Sequence, residues 1–409
     1  MDERALNRGP LSGVRITEFT SAWAGPYATC LLGFLGAEVI KVESRRRVDH
    51  ARMLAFSTGR VFSGPNESPV FDNLNLNKRS VTLNLSQPRA VEIAGRMAGL
   101  SDVVVENMRP GVVPRLGLGY EVLSGIKPDL IYLSSSSCGQ VGPEREYVGY
   151  APTFAAMAGL CYITGYEDWP PSNFMGAIDL RSANTSAFAI LAALVYRQRT
   201  GKGQYIDLAS QESIAALIGD QLLEYIMNGL VPTRHGNQDD LMSPHDCYPC
   251  LGEDRWISIA VADHEEWRAL CGVLGRPELA DDPRFAEAKG RRAHREELDG
   301  VINGWTRKRT DREAMAALQA AGVAATPSMS SEDLYKDPHL TARQAMIQVD
   351  HPVIGPDWVV NVPWRLSETP AEIRRHSPLL GEDNAYVFQE LLGMTKEELQ
   401  TLEEEQVIF

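Results

Sequence analysis

Residues 14–43 read VRITEFTSAWAGPYATCLLGFLGAEVIKVE. Val14 to Thr20 is a strand-like run, and Ser21 to Pro26 is a turn. Pro26 suits a helix start, where its fixed φ fits and its missing N–H costs nothing. The helix is expected to reach about Leu35 and stop at Gly36. Ala37 to Glu43 is a second buried strand. Strand, turn, helix and strand in this order form the unit of a doubly wound α/β sheet. Glu43 stands where dinucleotide folds keep a ribose-binding acid. The first turn has no GxGxxG, however, which argues against NAD.

The alternation continues outward. Asn77-Lys78-Arg79-Ser80 leads into an expected strand, Val81 to Leu85. Gln87-Pro88 opens a helix to about Leu100. Asp102 to Asn107 and Leu130 to Ser134 are further strands, the latter ending in a small-residue loop, Ser135 to Gly142. Ligands of such sheets lie at the C-terminal strand ends. The loops there carry Trp23, Arg45 to Arg47, Asn107, Arg109 and Cys138 to Gln140. After a long apolar helix come a β-like run, Tyr205 to Leu208, and another expected helix, Ser210 to Asn228. The texture then turns polar and turn-rich. The expected division is 1–226 for a large domain, 227–330 for a smaller inserted one, and 331–409 for a returning C-terminal segment.

The chain has 409 residues and a net charge of −14, which argues against nucleic acid as a partner. Residues 1–120 nevertheless hold 15 Lys and Arg against 11 Asp and Glu. A polyanionic ligand belongs on that first third. No run of about 18 apolar residues marks a membrane span, and the polar start, MDERALNRGPLSG, is not a signal peptide. Six scattered cysteines fit a reduced, cytoplasmic protein. Cys247-Tyr248-Pro249-Cys250 has no second ligand pair, so no metal site is expected.

Asp179 stands just before the long apolar helix. On spacing alone it reads more readily as a helix-capping acid than as a nucleophile held ionised by the helix dipole. Lys78, Arg79, Arg45 to Arg47, Arg109 and Arg115 are either solvated surface or a phosphate-binding set. Thr200-Gly201-Lys202-Gly203-Gln204 follows a helix and lacks the P-loop frame, so it reads as a C-cap.

Four segments in order resemble the class III (CaiB/BaiF) CoA-transferases, which include formyl-CoA and carnitine CoA-transferases. They are Leu11 to Phe19 leading to Ala24-Gly25-Pro26, Gly33 to Glu43, Asn77-Lys78-Arg79-Ser80, and Val104 to Gly111. The Thr200 to Gln204 turn follows at the family's distance. The resemblance implies a Rossmann-like large domain, an inserted small α+β domain and an interlocked-ring dimer. It implies a nucleophilic aspartate twelve residues before Leu191-Ala192-Ala193-Leu194, which is Asp179. CoA contacts are implied at Ala22, Trp23, Ala24, Arg45, Leu83, Asn107, Met108 and Arg115. A substrate pocket is expected at Gly139, Gln140 and Tyr150, with backbone N–H groups of Ser135 to Gly142 as oxyanion donors.

The expected partners are a CoA thioester, as substrate rather than bound cofactor, and a carboxylic acid. Ala151 to Gly165 and Asp168-Trp169-Pro170-Pro171 look most like the benzylsuccinate branch. That branch uses succinyl-CoA and aromatic-substituted succinates, and it can pair two related subunits. Arg181 or Arg234 would face a distal carboxylate. Two departures stand out. Gly236 to Ser243 lacks the glycine run of the formyl-CoA transferase flap. Gly149-Tyr150-Ala151-Pro152 lacks the His-Asp pair of α-methylacyl-CoA racemases, the first rival reading. The second rival is a non-catalytic partner subunit.

Overall fold

The computed structural model describes residues 9–54, 64–173 and 177–409. Residues 1–8, where most of the signal-peptide reading falls, lie outside the described part, as does Gly176 before Asp179. The large unit carries six parallel strands: β1 (Arg15–Phe19), β2 (Glu38–Glu43), β3 (Lys78–Thr82), β4 (Val103–Glu106), β5 (Ile131–Ser136) and β6 (Gln204–Ala209). Their order is β3-β2-β1-β4-β5-β6, the doubly wound order. The order in which strands are added reverses between β1 and β4, which pair in parallel from Ile16 with Val103 to Phe19 with Glu106.

Alternate strand residues feed two cores, because successive side chains point to opposite faces. Phe19, Ile40, Val42, Val81, Val104 and Tyr132 pack with helix Pro88–Gly99 and with Val387, Phe388, Leu402 and Val407 near the C-terminus. Ile16, Val39, Val103, Val105, Ile131 and Leu133 pack with Cys30, Leu31 and Leu32 of helix Ala24–Phe34. Ala187, Ile190 and Ala193 of helix Ala177–Thr200 join this second core. That last helix is long and apolar enough to cross a membrane by length and composition. Its small-residue face instead packs along helix Ala24–Phe34.

Three expectations shift. The third strand starts at Lys78, not Val81, so Lys78 and Arg79 are strand residues rather than a leader. The expected helix from Ser210 to Asn228 is broken at Ala216–Ile218 into two α-helical pieces. Asp179 lies inside the first turn of its helix, not before it.

The smaller unit comprises Tyr162–Ser172 and Pro232–Leu340. These bounds replace 227 and 330, and the earlier segment is an addition that sequence texture did not signal. The unit is α+β. An antiparallel sheet of β7 (His245–Pro249), β8 (Trp256–Ala260) and β9 (Ala324–Pro327) is covered by helices around Trp267, Leu298 and Leu318. Its Gly236–Ser243 loop is tied down. Asp239 accepts from the Leu241 and Met242 amides, Arg292 reaches the Asp239 carbonyl and Asp240, and Arg291 donates to the Ser243 carbonyl. All six cysteines are free thiols, and no group of potential metal ligands occurs among the described residues. After the small unit the chain returns to the large one as an antiparallel hairpin, β10 (Met346–His351) with β11 (Gly355–Val360).

Candidate functional site

The crevice of this sheet lies where β1 and β4 part, and a turn from Thr20 to Trp23 occupies it. The turn leads into helix Ala24–Phe34, whose first turn has no side-chain cap, an end that the helix dipole makes favourable to an anion. Asn107, just after β4, clamps the turn. Its Oδ1 accepts from the Ser21 amide at 2.9 Å and its Nδ2 donates to the Ser21 carbonyl at 2.8 Å. Gly25 permits this: a Cβ there would stand 2.7 Å from Asn107 Cγ and 2.9 Å from Thr20 Cβ. Ala22 sits at φ +70°, a conformation that costs a non-glycine residue roughly 1–2 kcal/mol. Both ends of the Asn107 amide are therefore engaged on the backbone of the turn, which makes Asn107 a shaper of this site.

The basic residues near the crevice divide into two sets. Lys41, Lys78 and Arg52 are buried and paired. Lys78 Nζ lies 2.9 Å from Glu18 and Lys41 Nζ 2.7 Å from Asp49, while Arg52 donates two 2.8 Å bonds to Glu43. Burial pushes the Glu18 carboxyl up, but the Lys78 and Lys41 ammonium groups more than offset it and hold the pKa below its ordinary value. Arg79 bridges Glu38 and Asp383 and stacks on Tyr386. Lys78 and Arg79 are thus removed from the phosphate-binding set, because a strand position points them into pairs rather than outward. Arg45, Arg47, Arg109 and Arg115 are exposed and, among the described residues, face no carboxylate partner. They follow β2 and β4, on the ligand side of the sheet.

The remaining expected contacts are mixed. Ala22, Trp23 and Ala24 are half-buried in the turn, and Met108 is half-buried against the sheet core. Leu83 is 1% exposed inside that core. It follows the end of β3 at Thr82, and its side chain offers no surface to a ligand. The Gln140 amide is spent on both oxygens of Asp207, at 2.9 and 3.0 Å, so it is not a free oxyanion donor. Gly139 is buried against the same Asp207. Tyr150 is 76% exposed at the start of helix Ala151–Met157.

Asp179 is half-buried. Its neighbour Ile178 packs into a small cluster with Ala151, Ala155, Ala158, Cys161 and Ile214. No ion pair or hydrogen bond engages the Asp179 carboxylate among the described residues, and burial pushes its pKa up to about 6. Arg181 lies two positions along the helix, hence on another face. It is exposed and donates to the Ser213 carbonyl. Arg234, in the small unit, donates to the Tyr162 carbonyl. A folded-state pKa above the unfolded value of 3.8 means the folded protein holds more protons from about pH 4 to 6. Stability therefore falls as pH rises across that window. Asp179→Asn is expected to stabilise the protein at pH 7 by roughly 1–2 kcal/mol and to give no gain below pH 4. Thermal melts at the two pH values check this.

Sequence patterns missed Glu106 and Asp49. Glu106 closes β4, fully buried, and accepts from the Met108 amide. Burial pushes its carboxyl up to about 7, with hydrogen bonds from Ser134 and the Met108 amide opposing. Asp49 lies in an arginine-rich loop with no periodic signal, and only the folded turn shows what it holds.

The model of the CoA-transferase family III matches residues 11–384, and the chain belongs to that family. It is an enzyme of the CoA-transferase class, and class members take CoA thioesters as substrates. A succinyl-CoA–D-citramalate CoA-transferase of Chloroflexus aurantiacus is 36% identical over 98% of both chains. The beta subunit of a succinyl-CoA–L-malate CoA-transferase of the same organism is 33% identical over 98% of both. The crystal structure of a CaiB/BaiF family protein from Brucella suis superposes with a TM-score of 0.85 at 31% identity. The match covers 94% of this chain and all of that one.

Proposed function

We propose that this protein moves CoA from succinyl-CoA to a second dicarboxylic acid, with Asp179 as the covalent nucleophile. The observation that carries the substrate class is the full-length similarity to two transferases named for succinyl-CoA and a four-carbon-backbone hydroxy diacid. In the first step an Asp179 oxygen attacks the donor thioester carbonyl. The C–S bond breaks, CoA leaves as thiolate, and a mixed anhydride remains. The thiolate then attacks the aspartyl carbonyl and releases succinate, which leaves CoA on Asp179 as a thioester. The acceptor carboxylate displaces the thiolate to form a second anhydride. Return of the thiolate to the acceptor carbonyl yields the new CoA ester and frees Asp179. No oxidant or hydrolysis enters, and each step exchanges one acyl bond for another. A pKa near 6 leaves Asp179 mostly ionised at pH 7 while making it more basic than a solvated carboxylate.

CoA is placed with its phosphates over the Ser21–Ala24 turn, the start of helix Ala24–Phe34, and the exposed Arg45, Arg109 and Arg115. Replacing any one of these arginines by Ala is expected to weaken CoA binding about tenfold at low salt. The penalty should shrink as salt approaches 1 M. Calorimetric titration with CoA reads both, and a salt-independent loss would count against the assignment.

A second copy, or a related subunit, completes the particle in this reading. Phe188, Val195 and Tyr196 of the long helix are exposed, as are Leu222, Leu223, Tyr225, Ile226 and Met227 of helix Gly219–Asn228, which buries no residue. Clusters of exposed large apolar side chains on a helix face point to an interface. The functional test is the purified chain alone with succinyl-CoA against citramalate, malate, glutarate and benzylsuccinate, with light scattering for its mass. Transfer by the isolated chain supports a homomer. No transfer to any diacid by a chain that light scattering shows to be a dimer sinks the substrate class, whereas no transfer by a monomer supports a heteromer. Deuterium uptake at the α-carbon of a methyl-branched acyl-CoA would favour the racemase reading instead.

A further inference from the structure

We infer that Asp49 is a positioning residue that selects the left-handed conformation of Ala22 and so sets the affinity for CoA. The inference rests on the placement of CoA at the Ser21–Ala24 turn proposed above. Four successive backbone groups of that turn are held by three side chains from elsewhere in the chain. The Thr20 carbonyl accepts from Lys41 Nζ at 2.9 Å. The Ser21 amide and carbonyl are both taken by Asn107. The Ala22 amide donates to Asp49 Oδ1 at 2.8 Å. Asp49 Oδ1 also accepts from Ser21 Oγ at 3.2 Å and from the Ala51 amide at 2.9 Å.

Asp49 is itself held from behind. It is 3% exposed, and Lys41 Nζ stands 2.7 Å from its Oδ2. Lys41 comes from β2 and Asn107 follows β4, so the two strands that flank β1 grip the turn from both sides. An alanine at φ +70° relaxes to the right-handed region unless something holds its amide in place. Asp49 supplies an ionised acceptor aimed at that amide, and the Lys41 charge keeps it ionised. An asparagine of the same shape would turn an NH2 toward either the Lys41 ammonium or the Ala22 amide, and neither can accept.

The test is a double-mutant cycle read as the dissociation constant for CoA. Asp49→Asn is made in the natural chain and in an Ala22→Gly background, with circular dichroism confirming folding. Glycine adopts positive φ without strain. The expected result is about a tenfold weaker affinity from Asp49→Asn in the natural chain and about threefold or less in the Ala22→Gly background. A purely structural role for Asp49 would give the same loss in both. Equal losses, or a folded Asp49→Asn protein within about twofold of the natural affinity, overturn the inference. Should Asp49→Asn not fold, Ser21→Ala takes its place in the cycle. It removes the hydroxyl that donates to Asp49 and accepts from the His50 amide, yet leaves the ion pairs intact. A loss of about threefold that Ala22→Gly cuts supports the inference, and no loss overturns it. A natural chain that fails to bind CoA at all refutes the CoA placement and the inference with it. CoA binding that survives Asp49→Asn refutes the inference alone.

Discussion

Asp179→Ala is expected to lower CoA transfer by on the order of 10⁴-fold or more while leaving the dissociation constant for CoA within about twofold, because removing a covalent nucleophile removes the reaction path and not the binding site. Asp179→Glu retains a carboxylate but moves it by one methylene. A displacement of about 1 Å is expected to cost on the order of 100-fold. The two variants together separate chemistry from packing, since a residue needed only to cap its helix would tolerate both. Hydroxylamine added during turnover should convert the acylated carboxyl into a hydroxamate, visible by mass spectrometry on the peptide holding Asp179. Asp179→Ala protein that transfers at a tenth of the natural rate would end the nucleophile assignment. The ionisation adds a pH signature. Asp179 is protonated below about pH 6, so the first acylation step should slow tenfold per unit below that value and level off above it.

The second large effect is structural. Glu18, Lys41 and Lys78 are all fully buried, and Glu18 Oε1 lies 2.9 Å from Lys78 Nζ and 3.5 Å from Lys41 Nζ. Glu18→Ala leaves two ammonium groups with less compensation in the sheet core. The expected loss is about 3–5 kcal/mol, the range for breaking a buried pair by removing one partner. Arg89 and Glu405 make an ion pair that is half exposed on both sides. Arg89→Ala should cost under about 1 kcal/mol. Urea denaturation of the two variants makes the comparison, and a Glu18→Ala protein as stable as Arg89→Ala would refute the account. Because the folded Glu18 pKa is depressed below 4.5, its contribution is present above pH 4.5 and is lost as pH falls through the folded value.

These two sites differ in how far they could be read in advance. The strand–turn–helix–strand unit of residues 14–43 was legible because apolar runs bounded by Pro26 and Gly36 report local backbone preferences. Asp179 was singled out by the family resemblance, which places a nucleophilic aspartate twelve residues before Leu191-Ala192-Ala193-Leu194. Lys78 and Arg79 were misread. A lysine beside an arginine looks like surface, and only the Lys41–Ser80 pairing of β2 with β3 shows that this stretch is itself a strand. The break at Ala216–Ile218 is marked in sequence only by the following Gly219, which a helix can tolerate.

By itself the sequence determined the α/β class and the positive first third that a polyanion would need, because periodicity and composition are properties of neighbours along the chain; the candidate nucleophile came from the family resemblance. Only the tertiary structure decided which cations stay exposed without a carboxylate partner among the described residues and which are buried in pairs. It also decided that Asn107 and Asp49 hold one turn, although 58 positions separate them. Burial and hydrogen-bond partnership are set by what the fold brings alongside a residue, and the order of residues along the chain carries no local trace of that.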